Sequence, residues 1–187
     1  MKVLVYGSRA FGGVVRRLVE DCGYEFAGFV DDVNDGPEIL GSFDTVCASH
    51  PPSRFACVNA VGYNDLGARR AVTARIEAGG YAMPSLVHPR AYVSTAATVG
   101  AGSFVMAGAL VDGNVTIEST VVLWPGVCVS HDSIVASNTF LSPSCTVCGG
   151  CRIGPDCFVG AGAVVVSHAV VPAGTRIRAL ERYVTKR

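Results

Sequence analysis

The chain has 187 residues, of which half are hydrophobic and only 16% are charged. Its 15 basic and 15 acidic residues balance, which argues against a nucleic-acid-binding protein or a basic surface for anionic lipids. No apolar stretch is long enough to span a bilayer, and the short amino-terminal one runs into glycines. We therefore expect a cytoplasmic protein with eight free cysteines, and the low charge predicts association between copies.

The first part of the chain, residues 1–84, shows the pattern of a small Rossmann-like α/β domain with a parallel sheet. A buried strand is predicted over 2–6, followed by a glycine-rich turn, a helix and a second strand over 26–30 that ends on two aspartates. Further elements are predicted as strands over 45–48 and 55–61 and as a helix over 64–78, capped by Asn64.

The turn after the first strand matches a dinucleotide fingerprint only in part. Gly7 and Gly12 take the outer glycine positions, but Arg9 stands where the middle glycine would let a pyrophosphate approach the backbone. This argues against a conventional NAD site, whereas a guanidinium is suited to grip a phosphate directly. Asp31 or Asp32, at the end of the second strand, is placed to accept hydrogen bonds from a ribose or a base. A structural turn followed by a solvated acid pair is the alternative.

A six-residue repeat occupies the second part of the chain, residues 85–187. From Val87 to Ile177 every sixth residue is aliphatic, and the residue four places later is small or β-branched until Glu181. This period predicts a parallel β-helix of hexapeptides, in which three repeats form one triangular coil and residues 18 apart stack. A β-sandwich is the alternative, but its irregular turns do not keep a fixed period.

His131 is the candidate catalytic base among the four histidines. It lies at an outward position of its hexapeptide and is followed by Asp132. Its stacked neighbours are Gly113 and Gly149, which leave space around the ring, and the Gly149 N–H is a candidate oxyanion donor one coil away. A surface histidine on a glycine-rich turn is the alternative.

Four cysteines in the repeats have a spacing that is typical of metal ligands. In the repeat register, however, Cys145, Cys151 and Cys157 occupy inward positions on three successive faces, whereas Cys148 points elsewhere. They do not converge on one ion, so no metal is expected. The γ-class carbonic anhydrases also use this solenoid, but they need converging histidines, and none stacks with His131.

Short segments along almost the whole chain carry a resemblance to one enzyme group. They are 5–7, 11–12, 28–32, 39–41, 59–64, 69–70, 86–91, 129–132 and 159–165. The chain resembles the sialic-acid, bacillosamine and perosamine type of sugar acyltransferases, which join a Rossmann-like domain to a left-handed parallel β-helix. The resemblance implies an N-acetyltransferase of glycan biosynthesis that uses acetyl-CoA and acts on a nucleotide-linked amino sugar, such as a 4-amino-4,6-dideoxy sugar.

The resemblance also implies roles for particular residues. His131 is implied to be the base, Asp132 its acid partner and Gly149 the oxyanion donor. Acetyl-CoA is implied to lie along the late coils, between the subunits of a homotrimer, at Gly149, Gly160, Ala161 and Gly162. The acceptor sugar nucleotide is expected at Gly7, Ser8, Arg9, Asp31, Asp32, Gly62, Asn64 and Trp124.

The chain departs from the family pattern at three positions. Arg9 replaces a glycine, Phe140 replaces a histidine that is common nine residues after the base, and Trp124 replaces a frequent asparagine. Trp124 is suited to stack on the sugar or to pack against a neighbouring subunit. Two other functions stay open: O-acetylation of a sugar hydroxyl, and a non-catalytic nucleotide-sugar sensor or structural solenoid. The sequence does not discriminate UDP, dTDP and GDP.

Overall fold

The computed structural model describes residues 1–185, and the chain divides into two compact units, one ending at Pro84 and the other beginning at Ser85. No helix within these described residues is long and apolar enough to cross a membrane. The elements of the first unit are β1 (Lys2–Tyr6), α1 (Ala10–Asp21), β2 (Glu25–Val30), α2 (Phe43–Ser49), β3 (Phe55–Asn59) and α3 (Leu66–Ala78).

The first unit is built on a three-stranded parallel sheet in the order β2-β1-β3. The central strand is buried from Val3 to Tyr6, as expected for a strand covered on both faces. Tyr6 is level with Val30 and Asn59 on the neighbouring strands, so the carboxyl ends of all three strands lie at one edge. The prediction of a Rossmann-like domain is confirmed, and ligand sites of such sheets lie at this edge.

Residues 45–48 were expected to form a strand, and this expectation is wrong because they lie in helix α2. The helix is capped at its start, since Ser42 Oγ accepts from the Thr45 N–H at 3.4 Å and Asp32 Oδ1 accepts from the Phe43 N–H at 2.8 Å. Phe43 and Val46 are buried three residues apart, which is helical spacing. Capping and packing therefore outweigh the strand preference of Thr45 and Val46.

Two predicted boundaries in the first unit also need correction. Asp65 rather than Asn64 caps α3, because its Oδ1 accepts from the Ala68 N–H at 2.8 Å. Strand β3 ends at Asn59 instead of running to residue 61, because the Asn59 side chain accepts from the Val61 N–H at 2.9 Å and turns the chain.

The second unit is a parallel β-solenoid of two-residue strands in three sheets of six, six and five strands, counted over the described residues. The strands are β4 (Leu86–Val87), β5 (Tyr92–Val93), β6 (Thr98–Val99), β7 (Phe104–Val105), β8 (Leu110–Val111), β9 (Thr116–Ile117), β10 (Val122–Leu123), β11 (Cys128–Val129), β12 (Ile134–Val135), β13 (Phe140–Leu141), β14 (Thr146–Val147), β15 (Arg152–Ile153), β16 (Phe158–Val159), β17 (Val164–Val165), β18 (Val170–Val171), β19 (Arg176–Ile177) and β20 (Arg182–Tyr183).

The pairing register confirms the 18-residue stacking. Cys128 pairs with Leu110 on one side and with Thr146 on the other, and each coil repeats this offset. The aliphatic and small positions of the repeat form one continuous buried core from Val105 onward. The first coil is less buried, with Val87 37% exposed and Val93 and Val99 partly buried, because its strands pair with a neighbouring coil on one side only.

One corner of the solenoid positions the candidate site. Asn114, Asp132, Gly150 and His168, spaced by 18 residues, all have left-handed backbone conformations with φ of 57°, 59°, 70° and 61°. Asn, Asp and Gly tolerate this conformation best, which explains three of the four residue types. The corner therefore stacks equivalent residues of successive coils directly on one another.

Candidate functional site

The centre of the candidate site is the pair His131 and Asp132. The His131 Nδ1 and the Asp132 Oδ2 are 2.8 Å apart, and both side chains are more than half exposed. An ionised carboxylate only accepts hydrogen bonds, so this contact places a proton on Nδ1 and leaves Nε2 as an open acceptor. The hydrogen bond from His131 and a second one from Asn114 hold the pKa of Asp132 below its ordinary value.

Gly149, 18 residues after His131, lies directly against this ring. A Cβ at Gly149 would come within 2.7 Å of both Cε1 and Nε2 of His131. The adjoining peptide is held from both sides, because Gly150 N–H donates to the His131 carbonyl and His168 N–H donates to the Gly149 carbonyl, each at 2.9 Å. The Gly149 N–H itself makes no hydrogen bond within residues 1–185.

This arrangement combines a proton acceptor with an open amide donor. His131 Nε2 is suited to accept a proton from an attacking nucleophile. The Gly149 N–H is suited to donate a hydrogen bond to a carbonyl oxygen on which negative charge develops. Both groups come from stacked turns of the solenoid, whose backbone hydrogen bonds hold the two coils together. Such an arrangement is chemically suited to acyl transfer to a nucleophile that needs deprotonation.

The cysteines of the solenoid occupy the positions that the repeat predicts. Cys145, Cys151 and Cys157 are fully buried in the core, whereas Cys148 is only partly buried. Burial raises the pKa of the Cys145 thiol to about 12. Among residues 1–185, no group of three or more His, Cys, Asp or Glu side chains is arranged to hold a metal ion.

An open groove of about 810 Å³ lies beside the first helix of the first unit. It is lined by Ser8, Arg9, Ala10, Gly13, Arg16, Arg17, Glu20, Phe29 and Glu38. Arg16 is bound to Glu20 and Glu38, while Arg9 and Arg17 make no salt bridge within the described part of the chain. Helix α1 begins with no side-chain cap and no acidic residue in its first turn, so no carboxylate of that turn competes with an anion there.

Asp31 is enclosed by donors from its own loop. Its Oδ2 accepts from the backbone N–H and the hydroxyl of Ser8, at 3.0 and 2.6 Å, and its Oδ1 accepts from the N–H groups of Val33 and Asn34. Burial raises the pKa of Asp31, but these hydrogen bonds outweigh it and hold the pKa well below its ordinary value. The carboxylate thus fixes the turn at Ser8, and its lone pairs are already occupied in this structure.

Asp32 belongs to a second network at the same edge of the sheet. It accepts hydrogen bonds from the Tyr6 hydroxyl and from Arg75, whose Nη1 lies 2.6 Å from Oδ2. Arg75 also reaches Asp44 at 2.8 Å. Sequence reasoning missed this network, because Arg75 lies on a helix far away in sequence and its position becomes evident only from the packing of α3.

The glycines expected in the binding sites have structural roles of their own. A Cβ at Gly12 would lie 2.1 Å from the Gly7 carbonyl oxygen, so the residue is required where α1 packs on the end of β1. A Cβ at Gly160 would lie 2.3 Å from the Ala179 nitrogen, and Gly162 has a left-handed φ of 65°. The structure therefore explains why glycine occupies positions 160 and 162 without a ligand. Binding of acetyl-CoA at 160–162 stays a prediction.

The remaining candidates are less constrained by the structure. Gly62 has open space around it, Asn64 is exposed and Ala161 is exposed at a turn. Trp124 is partly buried and packs on Phe140, with ring centroids 6.1 Å apart. Two of the three residues that depart from the family pattern, Trp124 and Phe140, are therefore packed on each other.

Sequence reasoning also missed Asn114. Its Nδ2 donates to Asp132 Oδ1 at 3.1 Å, and it lies 18 residues before that acid. The repeat register contained this signal, because any residue 18 positions before a candidate is its neighbour in the preceding coil. Gly113 and Gly149 are the stacked neighbours of His131, whereas Asn114 is the stacked neighbour of Asp132.

Comparison with known proteins agrees with this two-part architecture. The PglD N-terminal domain matches residues 2–76, and the bacterial transferase hexapeptide of six repeats matches residues 132–167. No curated protein matches the chain.

Several solved structures are similar to almost the whole chain. The acetyltransferase domain of PglB from Neisseria gonorrhoeae FA1090 in complex with acetyl coenzyme A is 29% identical, with a TM-score of 0.87 over 98% of this chain and 91% of that chain. PerB from Caulobacter crescentus in complex with CoA and GDP-perosamine is 25% identical, with a TM-score of 0.87 over 96% of this chain and 86% of that chain.

WeeI from Acinetobacter baumannii AYE, at 17% identity and a TM-score of 0.67 over 95% of this chain and 94% of that chain, shares the fold. The likeness to PglB and PerB extends over both units, and His131 directly precedes the residues that the hexapeptide model matches. The first unit therefore matches the PglD N-terminal domain, the solenoid matches the bacterial transferase hexapeptide, and the chain is similar over almost its whole length to solved acetyltransferases.

Proposed function

We propose that the chain transfers the acetyl group of acetyl-CoA to the amino group of a nucleotide-linked amino sugar. One observation carries this proposal: His131 presents an open Nε2 against Gly149, whose N–H has no partner within residues 1–185. The relatives support the reactants, because PglB binds acetyl coenzyme A and PerB binds CoA and GDP-perosamine. A 4-amino-4,6-dideoxy sugar is the acceptor that we favour.

In the proposed reaction the neutral sugar amine attacks the thioester carbonyl carbon. A nitrogen–carbon bond forms, and His131 Nε2 takes the proton that the amine loses. The carbonyl oxygen becomes an oxyanion, and the Gly149 N–H donates a hydrogen bond to it. The carbon–sulfur bond then breaks, CoA leaves as a thiolate, and the imidazolium returns a proton to it, so neither a metal nor an acyl-enzyme intermediate is required.

The first unit is proposed to hold the nucleotide of the acceptor. Its groove combines Ser8 and Arg9 with the uncapped amino end of α1, and Arg17 adds a second cation without a salt bridge in the described part of the chain. A diphosphate needs such donors, because it carries charge on several oxygens. Asp31 and Asp32 are assigned a supporting role here, since protein donors already occupy their oxygens.

The solenoid is proposed to bind acetyl-CoA along its late coils and to associate into a trimer. One outer sheet face carries exposed apolar side chains: Tyr92 stacks on Leu110, and Val164 lies farther along the same face, beyond Cys128 and Thr146. Such a face is suited to be covered by a second copy of the chain. Light scattering at three times the chain mass would support this assembly, and a monomer at working concentration would contradict it.

His131→Ala tests the proposed function directly. Removing a general base typically lowers turnover by about 10²–10⁴. The exposed side chain contributes little to packing, so thermal unfolding should change little. His50→Ala, which removes a partly buried imidazole from the first unit, is the control. The assay is thiol release from acetyl-CoA with UDP-, dTDP- and GDP-linked amino sugars, and a loss below tenfold would exclude His131 as the base.

A further inference from the structure

Three side chains from two coils form a hydrogen-bonded series at the candidate base. Asn114 Nδ2 donates to Asp132 Oδ1 at 3.1 Å, and the Asp132 Oδ2 is 2.8 Å from His131 Nδ1. Each carboxylate oxygen therefore has one side-chain donor. The series runs outward from the solenoid corner to the ring that faces Gly149.

The turn that carries Asn114 holds Asp132 by its backbone as well. The Asp132 N–H donates to the Gly113 carbonyl at 3.1 Å. Asn114 and Asp132 share the left-handed conformation, with φ of 57° and 59°, so the corner fixes the direction in which each side chain leaves the backbone. Asp132 is thus held at two points, one on the main chain and one on the carboxylate.

We propose that Asn114 is a positioning residue for His131, an inference that rests on the proposed function. By binding Oδ1, the amide fixes which oxygen of Asp132 faces the ring. The ring in turn keeps its proton on Nδ1 and its Nε2 directed towards Gly149. A neutral amide does this without adding a charge that would alter the basicity of the imidazole.

The same contact also occurs at a second place in the described part of the solenoid, where no histidine precedes the acid. Asn138 Nδ2 donates to Asp156 Oδ1 at 2.7 Å, the two residues are 18 apart, and their φ values are 56° and 59°. Pro155 precedes that aspartate, where His131 precedes Asp132. Both Asn–Asp pairs can therefore stabilise the coils, but only Asn114 can influence a histidine ring through its aspartate.

Two other titratable groups lie on the coils that flank this pair. Asp112 Oδ1 accepts from the Gly113 N–H at 2.8 Å, and the His168 ring packs against Gly150 on the following coil. Both remain in place when only Asn114 is changed. A difference between the pH profiles of the variant and the wild type is therefore attributable to the Asn114 contact.

The test compares Asn114→Gly with Asn138→Gly in the full-length protein. Glycine accepts the left-handed conformation, and Gly150 already occupies the equivalent corner position, so both variants should fold. We expect Asn114→Gly to lower kcat about tenfold, with KM for both substrates within about twofold. Asn138→Gly should lower the melting temperature at least as much and leave kcat unchanged.

A second readout does not depend on turnover. NMR of isotope-labelled imidazole nitrogens, with His131 identified from its absence in His131→Ala, reports which nitrogen carries the proton. We expect wild type and Asn138→Gly to show the proton on Nδ1, and Asn114→Gly to show a mixture of both tautomers. Asn114→Asp replaces the donor by a second carboxylate, so the acid limb of the pH–rate profile should move to higher pH.

The outcomes separate this inference from the function on which it rests. Equal kcat and an unchanged His131 tautomer in Asn114→Gly and Asn138→Gly would overturn the positioning role and leave the base assignment intact. Retained turnover in His131→Ala would overturn the proposed function itself. The inference is supported if kcat and the fraction of His131 protonated on Nδ1 both fall in Asn114→Gly and do not fall in Asn138→Gly.

Discussion

His131 packs against Gly149 so closely that position 149 has no room for a side chain. A Cβ there would lie 2.7 Å from the ring, whereas a Cβ at Gly113, on the other side of His131, would have only Ser94 Oγ near it, at 4.0 Å. Neither glycine has a left-handed φ, so alanine brings no backbone strain at either position. The two glycines that flank the ring therefore differ only in the space beside them.

Gly149→Ala should displace the His131 ring and lower kcat/KM, by about tenfold to a hundredfold, because small misplacements of a catalytic group are costly. Gly113→Ala, the matched control, should stay within about twofold of wild type. Steady-state kinetics and thermal unfolding of both variants provide the measurement. Equal activity of the two variants would show that the ring position does not limit turnover.

Asp132→Asn should reverse the tautomer of the base. An amide NH₂ in place of Oδ2 donates to Nδ1, so the imidazole proton moves to Nε2, the atom that must accept. We expect kcat to fall by about 10²–10⁴. Asp156→Asn changes the same corner position next to Asn138, where no histidine precedes the acid, and should retain full activity. Similar rates for both variants would argue against a role of Asp132 in the reaction.

Arg9→Ala should raise KM for the nucleotide sugar about tenfold or more, because a charged hydrogen bond to a phosphate is worth about 1.5–3 kcal/mol. KM for acetyl-CoA should hardly change. Lys2→Ala removes a cation from the first residue of β1, at the opposite edge of the sheet, and serves as control. A change in KM for acetyl-CoA alone would contradict the assignment of the nucleotide to the first unit.

Asp31→Asn should make the first unit less stable near neutral pH. It should also reduce the loss of stability that the unit shows when the pH is lowered. Because the folded pKa of Asp31 is depressed, its contribution to stability is present above the pKa of the unfolded chain. That contribution is lost as the pH falls below about 4 towards the folded pKa. We expect a loss of about 1.5–3 kcal/mol at pH 7, which should shrink towards pH 3. Thermal unfolding of Asp31→Asn and of Asp35→Asn, an exposed control, measures it.

Thiol reactivity should follow burial. Burial raises the pKa of Cys22 to about 11 and that of Cys145 to about 12, so both remain protonated at pH 8 and should resist alkylation. Cys128 and Cys148, partly exposed on the solenoid, should react first. Mass spectrometry after brief iodoacetamide treatment of the native protein measures the order. Early labelling of Cys145 would indicate that the coils open in solution.

The sequence allowed the solenoid and the placement of His131 to be predicted, because a fixed period determines both burial and stacking. Val129 and Cys145 lie inward and His131 outward as the register requires. Residues 45–48 show where such reasoning is weaker. Their helix depends on a cap from Asp32, a residue in another loop, and local preference carries no information about it.

The polar networks of the first unit could not be predicted for a related reason. Asp31 and Asp32 are adjacent in sequence, yet one binds the Ser8 turn and the other binds Tyr6 and Arg75. Which partners each carboxylate finds depends on the packing of α1 and α3 at the sheet edge. The sequence indicates that an acid stands at this edge, and only the fold shows that its lone pairs are occupied.

The stacking of Asn114, Asp132 and Gly149 in consecutive coils has a consequence for how such chains can change in length. A single inserted residue between positions 114 and 149 would shift every later side chain to a different face, and even an insertion of one whole coil would separate either Asn114 from Asp132 or the Gly149 amide from the ring. Added or lost coils are therefore tolerable only outside this interval. Homologues with longer or shorter solenoids should differ at the ends, with the separation of 18 residues between base and amide donor unchanged.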